Sequence, residues 1–302
     1  MIALLTAIAV GLPAGGWYPK NREALESMLK AVKPGDIATF DWDNTSAFGD
    51  IGENVFFYQL ERMEMLLTPS QVHELMPEPL RAKMVAAYVA LKSGKAVIGD
   101  ATHKEFRETC AGLYAKLEED PNVPRAYTYA WIGYWLAGMT AEQVRALGAK
   151  VAPLVTKPQQ EIKDLMSAIT AAGARVYVIS ASQQELVRGA AATFGYPLPA
   201  DHIYGLRNAM AEGKYLPRYE PAYPITWRQG KADLIDTVLP KGRHIFAAGD
   251  ANTDVEMLRH AEYRLVIDRH PDGDLAKLVQ EPRVILQARD EKTGAMVPRP
   301  RT

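Results

Sequence analysis

The sequence predicts a doubly wound, Rossmann-like parallel α/β fold with an all-helical block inserted after its first strand. Three observations predict it. From residue 157 onward, short apolar runs alternate with helical periodicity, the pattern of right-handed crossovers in a parallel sheet. A lone run, Asp36 to Asp41, stands far upstream behind a Pro34-Gly35 turn. Between the two, from about Asp50 to Lys157, apolar residues recur at helical spacing and no convincing strand occurs.

Each element follows in order. Met1 to Leu12 is apolar and precedes Pro13, Ala14, Gly15 and Gly16. Residues 1–17 therefore read either as an apolar N-terminal helix or as an export signal. No positive n-region and no clean A-x-A site accompany the run; the small residues after it tilt the reading toward export and a periplasmic location. Asp36 to Asp41 reads as a buried strand. Helices are predicted over 80–94, 102–119, 126–138 and 140–153, broken at Gly94, Pro121, Pro124 and Gly138. A helix over 158–172 stops at Gly173. Val176 to Ile179 is a continuous apolar run, fit for a strand buried on both faces. Then come a helix over 183–194, a strand over 202–206, a helix over 230–239, a strand over 244–248, a helix over 252–260 and a strand over 263–267. The division is an α/β core at 18–49 and 157–290, a helical block at 50–156, and a disordered Arg- and Pro-rich tail at 291–302.

Composition narrows the classes. With 48% hydrophobic residues the 302-residue chain can bury a real core. Thirty-five basic and 36 acidic residues give a net charge of -1, and no basic run favours nucleic acid or a polybasic membrane site. No apolar segment reaches the ~18 residues of a membrane span. A single cysteine, Cys110, excludes an internal disulfide and a cysteine-built zinc site.

Polar residues gather at strand ends. Asp41 ends the first strand, with Asp43, Asn44 and Thr45 directly behind it. Ser180 ends the run at 176–179, Asp250 ends 244–248, and Asp254 lies one turn into the next helix. All belong to the carboxyl edge of one sheet, where open α/β folds bind ligands. Four carboxylates in one cleft repel unless a cation sits among them. Oxygen donors without His or Cys favour Mg²⁺ over zinc. Lys231, opening the helix at 230–239, can supply a fixed positive charge at the same edge. Each residue also has a plainer role: a capping turn for Asp43 to Thr45, first-turn acids for Asp250 and Asp254, a solvated helix lysine for Lys231.

Taken together, these residues resemble the four motifs of the haloacid dehalogenase-like phosphatases. Asp41-Trp42-Asp43-Asn44-Thr45 resembles DxDxT, Ser180 the second motif, Lys231 the third, and Gly249-Asp250-Ala251-Asn252-Thr253-Asp254 the GDxxxD fourth. The resemblance implies Asp41 as nucleophile, Asp43 as general acid and base, and Thr45, Ser180 and Lys231 as phosphate ligands. It implies Mg²⁺ held by Asp41, the Asp43 carbonyl and Asp250, with Asp254 acting through water or on Lys231. The helical block then occupies the place of the family's cap.

The expected substrate is a small phosphorylated metabolite. Asp50 and Glu53 follow the first motif in the spacing DxDNT-x4-D-x2-E, which resembles bacterial phosphorylcholine phosphatases, although the fourth motif here is shorter. A quaternary ammonium needs aromatic faces, and Tyr127, Tyr129, Trp131, Tyr134 and Trp135 form the densest aromatic cluster. Tyr129, Trp131 and Trp135 are the candidate cage, against the alternative that aromatics at helical spacing form core. Asp50 and Glu53 have the alternative of helix-start acids. The expectation is Mg²⁺-dependent hydrolysis of a phosphate monoester through an aspartyl-phosphate, with phosphocholine or a related amine as substrate. The alternatives are a phosphoserine-type or broad-specificity phosphatase, or a non-catalytic binder of a phosphorylated ligand.

Overall fold

The computed structural model describes residues 11–120, 122 and 125–300. Residues 1–10, which carry most of the apolar N-terminal run, lie outside the described residues; 11–17 are not helical, and Leu12 and Trp17 pack into the core.

Helix α1 (Pro19–Ala31) opens on a proline and buries Leu25, Met28 and Leu29 along one stripe. β1 (Ile37–Phe40) follows, buried at all four positions. β2 (Ala47–Phe48) leads into α2 (Ile51–Arg62), α3 (Pro69–Leu75), α4 (Arg81–Lys92), α5 (Ala101–Glu119), α6 (Arg125–Tyr134) and α7 (Ala141–Val155). β3 (Lys157–Pro158) then pairs antiparallel with β2. The outgoing and returning chain thus run side by side as a neck between the helical block and the core. The remaining elements are α8 (Gln160–Ala171), β4 (Arg175–Gln183), α9 (Gln184–Thr193), β5 (Ile203–Leu206), β6 (Asn208–Ala211), β7 (Lys214–Tyr219), α10 (Gln229–Thr237), β8 (His244–Gly249), α11 (Val255–His260), β9 (Tyr263–Ile267), α12 (Gly273–Leu278) and β10 (Val284–Gln287).

The main sheet has the order β10-β9-β8-β1-β4-β5, with every pair parallel. β1 lies between β4 and β8, so the winding reverses beside it; that switch point opens a crevice at the carboxyl ends of the three strands. Strand alternation divides the core into two layers. Val176 and Val178 join the layer of Phe40 and Phe246, while Tyr177 and Ile179 join that of Leu234 and Met257. The helical block has its own core around Phe56, Phe106, Trp131 and Trp135. It is bound to the α/β core where α7 crosses α9. Gly148 and Gly189 permit that crossing, since a Cβ on either would strike the other helix's backbone. Beside it, the buried Glu185 carboxylate pairs with Arg145 at 2.6 Å and Arg188 at 2.7 Å.

The structure adds α1, β2, β3, α12 and β10, which the sequence reading did not name, and departs from that reading in three further places. β4 runs on to Gln183, because pairing with β5 resumes at Gln183 after a register shift beyond Ile179; Ser180 is inside the strand, not at its end. The hairpin β6–β7 was not predicted. It docks on the helical block where Gly138 N–H donates to the Tyr215 carbonyl and Tyr215 N–H to the Met139 carbonyl, both at 2.9 Å, turning at Glu212 and Gly213, which both have positive φ. The tail at 291–302, expected to be disordered, packs in its first part: Gly294 and Met296 are buried and Met296 bridges Arg289, while residues 298–300 are exposed. Its few apolar and glycine residues find partners on the core, which composition alone does not show. No helix among the described residues is long and apolar enough to cross a membrane.

Candidate active site

β1 ends one residue before Asp41, whose N–H donates to the Ala248 carbonyl of β8 at 2.9 Å. Adjacent parallel strands therefore deliver Asp41 and Asp250 to one rim. Lys231, in the first turn of α10, reaches beneath that rim and is fully buried. Its ammonium donates to Asp41 Oδ1 and to Asp254 Oδ1, both at 2.6 Å. Burial pulls the lysine pKa down, but the Asp254 and Asp41 carboxylates outweigh it and hold the amine charged. The Asp254 Oδ2 accepts the N–H groups of Asp250 and Ala251 at 3.0 and 3.1 Å. This fixes the 3₁₀ turn at Asn252–Asp254 against the β8 end.

Carboxylate oxygens of Asp41, Asp250 and Asp254 lie within 4.8 Å of one another. Burial, then the charges of Asp254, Asp250 and Asp43, push the Asp41 pKa well above the carboxylate range, with Lys231 opposing. Thr45 donates to Asp250 Oδ1 at 2.7 Å, and Arg269 to Asp250 Oδ2 at 2.8 Å. The Arg269 side chain is 45% exposed, so this partner of Asp250 can swing away. Three carboxylates, no nitrogen or sulfur donor, and a displaceable cation on one of them fit a hard divalent ion.

Asp43 spans the core and the helical block. Its Oδ1 accepts the Ile51 N–H at 2.7 Å, at the start of α2, while Oδ2 accepts Ser182 Oγ at 2.7 Å and Ser180 Oγ at 3.2 Å. Burial, followed by the Asp50 charge, raises its pKa well above the usual range despite these bonds. A carboxyl whose pKa is raised suits a general acid.

The structure thus brings Asp41, Asp43, Thr45, Ser180, Lys231, Asp250 and Asp254 together. Thr45, Ser180 and Lys231 are fully buried under the carboxylates and engaged with them. Ser182, which the sequence reading did not single out, lines the cleft with Asp41, Asp43, Asp50, Tyr129 and Arg269. The two serines are two apart on β4 and share a face; that period was the signal.

The substrate side is mixed. Asp50 is the α2 N-cap, accepting Glu53 N–H at 2.8 Å, and it also lines the cleft. Glu53 is raised to about 7 by burial, then by Asp50 and Glu118. Tyr129 lines the cleft, but Trp131 and Trp135 do not: they pack with Phe56 inside the helical block, at 3% and 0% exposure. This corrects the cage expectation for both tryptophans. Trp135 follows the last residue of α6, four positions after Trp131, and both side chains meet the interior. Sequence reading also missed Tyr114 and Glu118 of α5, joined at 3.1 Å, and Arg269. The α5 pair is spaced i, i+4; nothing marked Arg269 beyond its place just after β9.

Parallel-sheet switch point, paired aspartates and buried lysine define a hydrolase site, and the chain belongs to the haloacid dehalogenase-like hydrolases, whose family description matches residues 38–259. Asp41 and Asp43 stand two apart at the end of β1, inside the matched residues. A phosphorylcholine phosphatase from Pseudomonas aeruginosa is 26% identical over 301 positions, spanning 83% of this chain and 79% of that one. A conserved protein of unknown function from Anaerococcus prevotii DSM 20548 superposes with a TM-score of 0.78 at 21% identity, covering 96% of this chain and 97% of that one. A protein of unknown function from Bordetella pertussis Tohama I gives 0.55 at 16% identity, covering 84% and 98%. At these identities the two structures share the fold.

Proposed function

We propose that the chain hydrolyses a small phosphorylated amine, with phosphocholine the best candidate, through an aspartyl-phosphate on Asp41 and with Mg²⁺ as cofactor. Asp41, the Asp43 carbonyl and Asp250 would hold the ion, with Asp254 behind them; when bound, it offsets phosphate charge. The Asp41 carboxylate attacks phosphorus, the P–O bond to the alcohol breaks, and Asp43 gives its proton to the departing oxygen. Asp43 then takes a proton from water as that water attacks the aspartyl-phosphate, releasing phosphate and restoring Asp41. Lys231 stays charged beside the nucleophile throughout and steadies the extra negative charge.

The observation that carries the amine reading is the acidic far wall of the cleft. Asp50 and Tyr129 line it. Behind them Glu53 feels the charges of Asp50 and Glu118, and Glu118 accepts the Tyr114 hydroxyl. Carboxylates and phenol rings together suit an ammonium group. Arg269 favours a second reading, since its guanidinium in the same cleft can meet the carboxylate of a phosphoserine-type substrate.

The test is phosphate release from phosphocholine, phosphoethanolamine, phosphoserine and an aryl phosphate, with Mg²⁺ and with EDTA. Phosphocholine is expected to lead, and Asp41→Asn to abolish all turnover. Equal rates on the three biological esters would discard the amine reading. Phosphoserine in the lead would select the second. Unchanged turnover in Asp41→Asn would remove the covalent mechanism.

A further inference from the structure

We propose that the C-terminal strap, residues 288–297, clamps the neck and the nucleophile turn together, with Arg289 as a positioning residue for Asp43. The strap lies beyond the family match, which ends at residue 259, so the family's motifs assign it nothing.

The strap is a tight hairpin. Arg289 bridges Met296, Asp290 N–H donates to the Ala295 carbonyl at 2.8 Å, and Asp290 Oδ1 accepts Thr293 N–H at 2.7 Å. It touches both strands of the neck. Gly294, with φ 77°, lies so close to the Phe48 ring of β2 that a Cβ there would overlap it. Its carbonyl accepts Gln159 Nε2 at 2.7 Å, directly after β3. The helical block cannot tilt on its neck without disturbing these contacts.

Arg289 extends the clamp to the catalytic turn. Its guanidinium donates to the Asn44 carbonyl and stands 5.0 Å from the Phe48 ring centroid. The side chain is 8% exposed, and its Nε has no partner. A buried guanidinium spent on one backbone carbonyl is expensive in desolvation, which makes that carbonyl the point of interest. Asn44 sits between Asp43 and Thr45 in a left-handed conformation, φ 59°. Such a conformation persists where its surroundings over-determine it. Here Asn44 Oδ1 accepts the Gly49 N–H at 3.2 Å, and Arg289 fixes the far side. The peptide between Asp43 and Thr45 is thereby held from the strap, and with it the direction in which the Asp43 carboxyl enters the cleft.

The test compares Arg289→Ala, Arg289→Lys and Gln159→Ala with the intact chain, by aryl phosphate hydrolysis and by amide hydrogen exchange. Arg289→Ala is expected to lower kcat about tenfold or more, since small misplacements of a reacting group carry losses of that order, with KM changed less. Exchange should rise at residues 43–49 while β4 and β8 stay protected. Arg289→Lys, which keeps a charged donor, should recover most of kcat. Gln159→Ala should raise exchange at 155–159 and 292–296 and leave Asp43 in place. Should Arg289→Ala not fold, Arg289→Gln carries the same comparison with a shorter donor. Unchanged exchange at 43–49 in the folded alanine or glutamine variant overturns the proposal, as does a lysine variant no better than alanine. The activity readout rests on the phosphatase reading; the exchange readout does not, so either can fail alone.

Discussion

Replacing Lys231 by methionine removes a fully buried cation from between two carboxylates with side-chain exposures of 8% and 0%. Removing one partner of a buried ion pair costs about 3–5 kcal/mol, because the remaining charge is left without compensation. In a chain this large each kcal/mol moves the melting midpoint by roughly 2 °C, so the variant should melt about 6–10 °C lower in EDTA. The sign of the pH dependence follows from Asp41. Burial and the Asp254 charge already raise its pKa, and Lys231 is the opposing influence; without the lysine it rises further. Folded Asp41 then keeps a proton that the unfolded chain releases above about pH 4. Stability is lost as pH climbs through the folded value, so the deficit should be larger near pH 8 than near about pH 5.5. Aryl phosphate hydrolysis should fall by at least about a hundredfold. The assay is scanning calorimetry of both proteins in EDTA at the two pH values. Equal midpoints at the higher pH would refute the view that Lys231 compensates buried charge.

Two further outcomes separate the residues that meet substrate from those that build the helical block. Trp135→Phe should leave the KM for phosphocholine within about twofold and cost under ~2 kcal/mol, since the indole N–H is buried without an acceptor; a large KM rise in a stable variant would return the indole to the cleft. Glu53, raised to about 7, is ionised only above that pH. KM for phosphocholine should therefore fall as pH rises through about 7, relative to an aryl phosphate, and Glu53→Gln should flatten the difference. A KM ratio independent of pH in the intact chain would remove Glu53 from the amine site.

The order of core strands was legible because parallel strands buried on both faces write continuous apolar runs, as in Val176 to Ile179 and His244 to Ala248. The convergence of Asp41, Lys231, Asp250 and Asp254 followed from placing each at a strand end or helix start. What escaped was structure without a period. β2 and β3 are two residues each, too short to alternate, yet they form the neck. The hairpin β6–β7 carries an exposed face and a Glu212-Gly213 turn that reads as ordinary loop. The tail looked disordered because of its closing run Val297-Pro298-Arg299-Pro300-Arg301-Thr302, whereas the strap before it is held by single residues, Gly294 against Phe48 and Met296 in the core. Direction was also hidden. Trp131 and Tyr129 are two apart on α6, and only the packing of α5 and α2 shows which one faces the cleft.

Charge explains why the site is built with one fixed and one yielding cation. Asp41, Asp250 and Asp254 present three carboxylates, and Lys231 and Arg269 present two positive charges. Asp43, whose pKa burial and the Asp50 charge raise, cannot make that balance more positive. The rim therefore retains a net negative charge where a phosphate must enter. Like charges about 4 Å apart repel by ~4 kcal/mol at an effective dielectric near 20. A phosphomonoester is thus poorly received until a further cation arrives, which is the physical case for the proposed Mg²⁺. Lys231 cannot yield to that ion: it is 0% exposed and grips both Asp41 and Asp254. Arg269 can, being 45% exposed with a single contact to Asp250. Were it to leave, the Asp250 oxygen it covers would be open to the proposed metal, and the guanidinium would be free to meet the anionic part of the proposed substrate.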